Sequence, residues 1–300
     1  MASRMNSHGE AFALLKKDGK PLVAFVVGKY FALGADGFPD YNGITFNIKE
    51  AQKWAIRLWK MGVLVFTPHF NTHHFEVKTR IDPDPHENEE YYRAFDRKLI
   101  LKLVDFCYAT PNTPDSTGGR LEVQLCNHLG TPVLPSVRDV KLYAEGAPVM
   151  GLRFDAISED AKRFGEGKDL PIAMVDGPHF SRDENEIDAE RVQHFENLAE
   201  EAAKQLFNNK VGAFTPHLNG SYHNLGYRVP EASYQLLNRE MLVRRTADCI
   251  FLIKDWRKDA RVRERVLMAE SMDPIIPAFE HLEELLSWKD GKGGARVTLR

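Results

Sequence analysis

Short apolar runs alternate along the chain with stretches whose apolar residues recur every three or four positions. Pro21 to Val27 (PLVAFVV) is apolar and β-branched, as a strand buried on both faces of a parallel sheet is, and Gly28-Lys29-Tyr30 ends it. After a Gly/Asp/Pro-rich loop, Gly34 to Gly43, the shared face of Ile48, Ala51, Ala55, Leu58 and Trp59 predicts a helix from about Asn47 to Met61, stopped by Gly62. Val63 to Thr67 reads as the second strand. Pro68 to Glu89 is polar and histidine-rich, which predicts a loop over the carboxyl edge of the sheet. Tyr92, Phe95 and Leu99 mark a helix from about Glu90 to Leu103, leading through Asp105 into a third strand, Phe106 to Ala109. A further amphipathic helix, about Arg120 to Leu129, stops at Gly130, and Thr131 to Leu134 is the fourth strand.

From Pro171 the pattern repeats. AFVVGKYFA (Ala24 to Ala32) aligns with AMVDGPHFS (Ala173 to Ser181), pairing Gly28 with Gly177, and FTPHFN (Phe66 to Asn71) aligns with FTPHLN (Phe214 to Asn219). Asp105 then pairs with Asp248, and Glu122 through Pro132-Val133 pairs with Glu264 through Pro274-Ile275. Four markers in one order imply a tandem duplication. Alternating strands and helices, twice over, predict an α/β fold of two tandem flavodoxin-like (Rossmann-like) parallel-sheet domains, at 21–145 and 170–289. They are preceded by a polar leader (1–20), joined by a linker (146–169) with one short helical piece, Ala156 to Phe164, and followed by a mobile tail (290–300).

A formal net charge of −3 gives no general attraction to nucleic-acid backbone or anionic lipid, so a small nucleotide is a better candidate partner than a polymer or a membrane. The three cysteines, Cys107, Cys126 and Cys249, lie in apolar patterns and form no disulfide framework, which suits a reducing cytoplasm. Neither a membrane-length apolar run nor the basic-then-apolar order of a signal peptide occurs in the sequence.

Candidate chemistry concentrates in DSTGGRLEVQLCNHLG (Asp115 to Gly130), a strand-to-helix crossing at the carboxyl end of the third strand, where open α/β sheets bind ligands. Gly118 and Gly119 permit close backbone approach, the helix start and the Ser116 hydroxyl can hold an anion, and Glu122 is a carboxylate beside that cradle. The alternative is a glycine turn with a glutamate that caps its helix. His69 and Asn71, with His217 and Asn219 in the second copy, are candidate pocket residues or simple turn residues. His69, His73, His74, Asp82, Asp84 and His86 crowd one loop without the spacing of a zinc site. Arg257, Arg261, Arg263 and Arg265 could hold phosphate or form a solvated face.

These residues resemble the nucleoside 2-deoxyribosyltransferase-like superfamily: a glycine-ended first strand, an acidic residue on the helix before Asp105, then Ser116-x-Gly118-x-x-x-Glu122 and Gly130-x-Pro132-Val133. The Ser116 form is similar to the 2'-deoxynucleoside 5'-phosphate N-hydrolase branch and to short phage and bacterial proteins with that signature. Transferases acting on unphosphorylated nucleosides generally carry an aspartate there. An aspartate would repel a 5'-phosphate, whereas a serine can donate to it.

The resemblance implies hydrolysis of the N-glycosidic bond of a (deoxy)nucleoside 5'-monophosphate without a cofactor, in the manner of a retaining glycosidase, with Glu122 as nucleophile and Asp96 as acid. Asp96 stands nine residues before Asp105 rather than the family's usual eight. Tyr30 matches a sugar-contacting position. In the second half Glu264 and Glu240 are the counterparts of the two carboxylates, but Lys258-Asp259-Ala260-Arg261 replaces the cradle, and Trp256 follows Asp255 where some phage relatives have Gly-Trp. That half is expected to be degenerate, forming an intrachain pseudo-dimer that closes the first half's pocket. Alternatives are a deoxyribosyltransferase, an NAD-type glycohydrolase and a non-catalytic nucleotide-binding protein.

Overall fold

The structure, a computed structural model, describes residues 4–5, 11–30, 32, 35, 40–68, 85–154, 156–167, 169–178, 189–219, 227 and 229–299. Two four-stranded parallel sheets form its framework. The first contains β1 (Val23–Val27), β2 (Leu64–Phe66), β3 (Phe106–Ala109) and β4 (Val133–Leu134) in the order β2-β1-β3-β4. The second contains β5 (Ile172–Asp176), β6 (Gly212–Phe214), β7 (Cys249–Leu252) and β8 (Ala278–Phe279) in the order β6-β5-β7-β8. Every residue of these strands is buried, as their apolar runs require. Both sheets have the flavodoxin-like start 2-1-3-4, so the expected α/β class with tandem Rossmann-like sheets is observed.

Each half pins its sheet in the same way. The Asp105 carboxylate accepts the amide of Val23 at 2.8 Å, and Asp248 accepts that of Ile172 at 2.7 Å. The aspartate leading the third strand thus satisfies a donor at the start of the first strand, which explains its recurrence without a role at the ligand edge.

The helices of the first half are α1 (Tyr41–Lys60), α2 (Pro85–Lys102), α3 (Thr117–His128), α4 (Val137–Ala144) and α5 (Glu159–Gly165). Those of the second are α6 (Ala189–Asn208), α7 (Pro216–Asn219), α8 (Glu231–Val243), α9 (Ala260–Glu270) and α10 (Leu282–Lys289). α1 begins earlier than the apolar stripe alone predicts, because Asp40 caps it and accepts the Asn42 amide at 3.0 Å. Its C-terminus turns at Gly62, at φ +85°, and the Gly62 carbonyl accepts the Leu15 amide at 2.9 Å.

Three segments expected to lie outside the domains are structured. The leader forms a hairpin, Lys16–Lys17 against Lys20–Pro21, turning at Asp18 and Gly19, both at positive φ. In the linker, Gln124 of α3 binds the Ala156 carbonyl and the Ser158 hydroxyl, both at 2.7 Å, and the Leu152 amide donates to the Val133 carbonyl at the edge of β4. The tail repeats that edge contact: the Val297 amide donates to the Ala278 carbonyl at 2.9 Å, and the Leu299 amide to Glu270 Oε1 at 2.9 Å. The edge amides 152 and 297 are satisfied by equivalent strands, so the tail belongs to the repeat.

The chain divides into two compact units that do not coincide with contiguous halves. Unit 1 comprises Met1–Phe70, Asp96–Lys168 and Tyr222–Leu237; unit 2 comprises Asn71–Phe95, Asp169–Ser221 and Asn238–Arg300. Within unit 1, Lys60 at the end of α1 lies 5.4 Å from the ring centre of Tyr227, and within unit 2 Lys210 lies 5.5 Å from that of Tyr91. Each unit therefore holds a segment from the other sequence half.

Candidate active site at the end of the third strand

After β3 the chain makes a single 3-10 turn, Thr113–Asp115, and enters α3. The turn is tied to the first strand: Thr113 Oγ1 donates to the Val27 carbonyl at 3.0 Å, and Thr110 Oγ1 donates to Asn112 Oδ1 at 2.6 Å. A Cβ on Gly28 would come within 2.8 Å of Thr110 Oγ1, so this glycine lets β1 pass the residue after β3. Gly177 has the same relation to Ile253. Close internal packing by itself requires both glycines.

Ser116 is the N-cap of α3, its Oγ accepting the Gly119 amide at 3.0 Å. The hydroxyl proton stays available to a further acceptor. The two glycines differ: a Cβ at Gly119 would meet Thr113 Cγ2, the Thr113 carbonyl and Ser116 Cβ at 3.2–3.3 Å, whereas one at Gly118 would meet only Ser116 Oγ, at 3.9 Å. Gly119 is required by the turn, and Gly118 leaves the helix start bare.

Glu122 lies one turn before Cys126 on the same face of α3. Cys126 packs on Cys107 of β3, Sγ to Sγ at 2.7 Å. Because α3 runs back along the sheet from the end of β3, Glu122 sits nearer the carboxyl edge than this sulfur pair. One of its carboxylate oxygens is buried. Burial, then the hydrogen bond and charge of Cys126, then the charges of Glu122 and Asp96 push the Cys107 thiol well above its usual range. Both carboxylates therefore lie within electrostatic reach of one buried atom of β3. Tyr30 is half-buried beyond β1, its carbonyl accepting from Asn47 Nδ2 of α1 at 3.2 Å. His69 and Asn71 lie outside the described residues, as do His73, His74, Asp82, Asp84 and the side chain of His86. Among the described residues no group of three His, Cys, Asp or Glu side chains gathers as a metal site.

The backbone register of the second half corrects two of its expected residues. Leu252 pairs with Asp176 as Ala109 pairs with Val27, and the 3-10 turn Trp256–Lys258 precedes the Asp259 cap of α9 as Thr113–Asp115 precedes Ser116. Six residues past each cap stand Glu122 and Arg265, so the counterpart of Glu122 is Arg265; Glu264 is exposed on the outer face of α9. Upstream, the Val104 amide donates to the Leu99 carbonyl and the Thr246 amide to that of Met241, which aligns Leu99 with Met241. Three residues earlier stand Asp96 and Asn238. Glu240 instead pairs along its own helix with Arg244 at 2.8 Å. The turn from α8 into β7 is one residue longer than that from α2 into β3, and this shift gave Glu240 its apparent spacing.

Arg265 is buried and binds Asp176, at the end of β5, through Nε at 2.7 Å and Nη2 at 2.6 Å. Burial works against its charge, but the Asp176 carboxylate outweighs it and the pKa is raised. His217 is buried nearby, its Nε2 donating to the Pro178 carbonyl at 3.1 Å; burial lowers its pKa to about 4. Asn219 is also buried. The other arginines of the cluster are engaged: Arg261 with Asp259 at 2.8 Å, Arg257 with Glu280 at 2.5 Å, and Arg263 with the Arg257 carbonyl. Arg265 is visible as a counterpart in the sequence only when α9 is aligned by its cap rather than by its glutamate, and Asn238 only when the turn after α8 is allowed its extra residue.

Among the described residues, no helix is long and apolar enough to cross a membrane. No family model, curated protein or solved structure matches the chain.

Proposed function

We propose that the first half is an N-glycosidase acting on (deoxy)nucleoside 5'-monophosphates, in keeping with its resemblance to the nucleoside 2-deoxyribosyltransferase-like superfamily. The observation that carries this reading is the start of α3, left bare by Gly118 and capped by Ser116, on the same helix as Glu122, one of whose carboxylate oxygens is buried. A pair of carboxylates suits a retaining displacement. Glu122 attacks the anomeric carbon, the bond to the base breaks, and Asp96 gives the departing nitrogen its proton. Water then cleaves the glycosyl ester, returning Glu122 as a carboxylate, while Asp96 takes up the water proton. The Ser116 hydroxyl donates to the 5'-phosphate, and the N–H groups at the start of α3 face the same charge.

The test is base release, followed by chromatography, from a panel of nucleoside 5'-monophosphates and their dephosphorylated nucleosides, with wild type beside Glu122→Ala. Release from monophosphates only, abolished by the substitution, is expected. Binding of a nucleotide equally to both proteins with no turnover would replace the enzymatic reading by that of a nucleotide-binding protein. Transfer of the sugar to an added free base would assign a deoxyribosyltransferase.

A further inference from the structure

We propose that the second half carries a sealed counterpart of the first half's site, closed by the Asp176–Arg265 ion pair, so that the chain takes one nucleotide and not two. The proposal rests on the reading of Glu122 as the ligand-facing carboxylate of the first half. It is drawn from a set of exchanges between equivalent positions that together remove the opening.

The largest exchange is a charge reversal. Where α3 presents Glu122, α9 presents Arg265, and where β1 ends in Val27, β5 ends in Asp176. The two changes compensate: an arginine buried at this point needs a counter-charge, and Asp176 supplies both of its oxygens. Asp176 is 1% exposed and Arg265 7%. A ligand entering here would have to part this pair and leave two charges buried without partners. The space beside it is also filled. Ile253 stands where the first half has Thr110, its Cγ1 only 2.2 Å from where a Cβ on Gly177 would lie, and His217 reaches the Pro178 carbonyl of the same loop.

The anion cradle is closed as well. Asp259 caps α9 in the place of Ser116, and its carboxylate is taken by the Arg261 amide at 2.9 Å, Nε at 3.1 Å and Nη2 at 2.8 Å. Arg261 and the buried Val262 replace Gly118 and Gly119, so the helix start is covered by side chains. Before it, Asp255 adopts a left-handed backbone, φ +66°, where its counterpart Asn112 is at φ −90°. Asn238, which replaces Asp96, cannot serve as a proton donor of carboxylic strength.

Two measurements on the full chain decide the proposal. Hydrogen exchange at Arg265 Nε, followed by nitrogen-15 NMR, is expected to be at least about a hundredfold slower than at the exposed arginines, and unchanged when a nucleoside 5'-monophosphate is added. Exchange as fast as at an exposed arginine, or displacement of the Arg265 signal by the nucleotide, would overturn the seal. Calorimetric titration of Glu122→Gln with the monophosphate is expected to give one site per chain, and two sites would also overturn it. If no nucleotide binds anywhere, the functional reading of the first half falls, while the Arg265 exchange rate still decides whether the second site is sealed.

Discussion

The guanidinium of Arg265 grips both carboxylate oxygens of Asp176, neither side chain being more than a tenth exposed. A buried pair of this kind is costly to break and cheap to replace. Arg265→Ala or Asp176→Ala should each lower stability by about 3–5 kcal/mol, since each leaves one buried charge unpaired. Asp176→Val combined with Arg265→Leu should recover most of that loss. Urea unfolding of the four proteins gives the comparison, and a double variant as unstable as the single ones would contradict it.

Ser116 has a structural duty as the cap of α3 and a proposed chemical one as a donor to phosphate, and two substitutions separate them. Ser116→Ala loses the cap and should cost about 1 kcal/mol. Ser116→Asp caps equally well, so its melting temperature should stay near that of wild type, but it places a negative charge in the cradle. The expected outcome is a KM for monophosphates raised at least about tenfold. Steady-state kinetics on the monophosphates beside thermal unfolding of the same variants checks this.

His217 is held neutral by burial, its pKa lowered to about 4 from an ordinary 6.5. As pH falls from 6.5 towards 4, the unfolded chain takes up a proton that the folded chain refuses, so stability falls with it. The loss is complete below about pH 4 and amounts to about 3 kcal/mol. His217→Gln should lack this component. The difference between wild-type and variant unfolding free energies, measured from pH 7.5 to 4, should therefore shift against the wild type as acid is added; a constant difference would exclude it.

Gly62 and Gly130 both close helices at positive φ, +85° and +76°, yet they should respond differently to alanine. At Gly130 a Cβ meets nothing within 4 Å, and the cost is the backbone strain alone, about 1 kcal/mol. At Gly62 the Cβ would lie 2.0 Å from the Ala13 carbonyl, so the leader must move or the helix end must unwind. Gly62→Ala should cost about 3 kcal/mol or more, read from thermal or denaturant unfolding.

The sheets were legible because strands buried on both faces must be continuously apolar, and Val23–Val27 and Phe106–Ala109 are. Several elements carried local signals that the apolar pattern alone overlooks. Asp18-Gly19 between lysine pairs is a hairpin turn, and Ser136 with Asp139 caps α4, the Asp139 amide donating to Ser136 Oγ at 3.1 Å. The counterparts of the two carboxylates were misplaced for a physical reason. Matching Glu to Glu and Pro132 to Pro274 ignores insertions in turns, whereas Cys107 donates to the Pro132 carbonyl and Ile250 to that of Pro277. Backbone bonding sets the register, and identity of side chains near a loop does not. The electrostatic reach of Asp96 and Glu122 to Cys107 depends on tertiary placement, which helical spacing by itself cannot fix.

The interleaved composition of the compact units bears on how the protein is made. The first sheet is complete once Leu134 has been added, but the unit containing it also includes residues up to Leu237. At a synthesis rate of about 5–20 residues per second, roughly 5–20 s separate those two points on the ribosome. Throughout that interval the nascent chain carries a finished sheet with an unfinished surround, and a message that stopped between the repeats would release it in that state permanently.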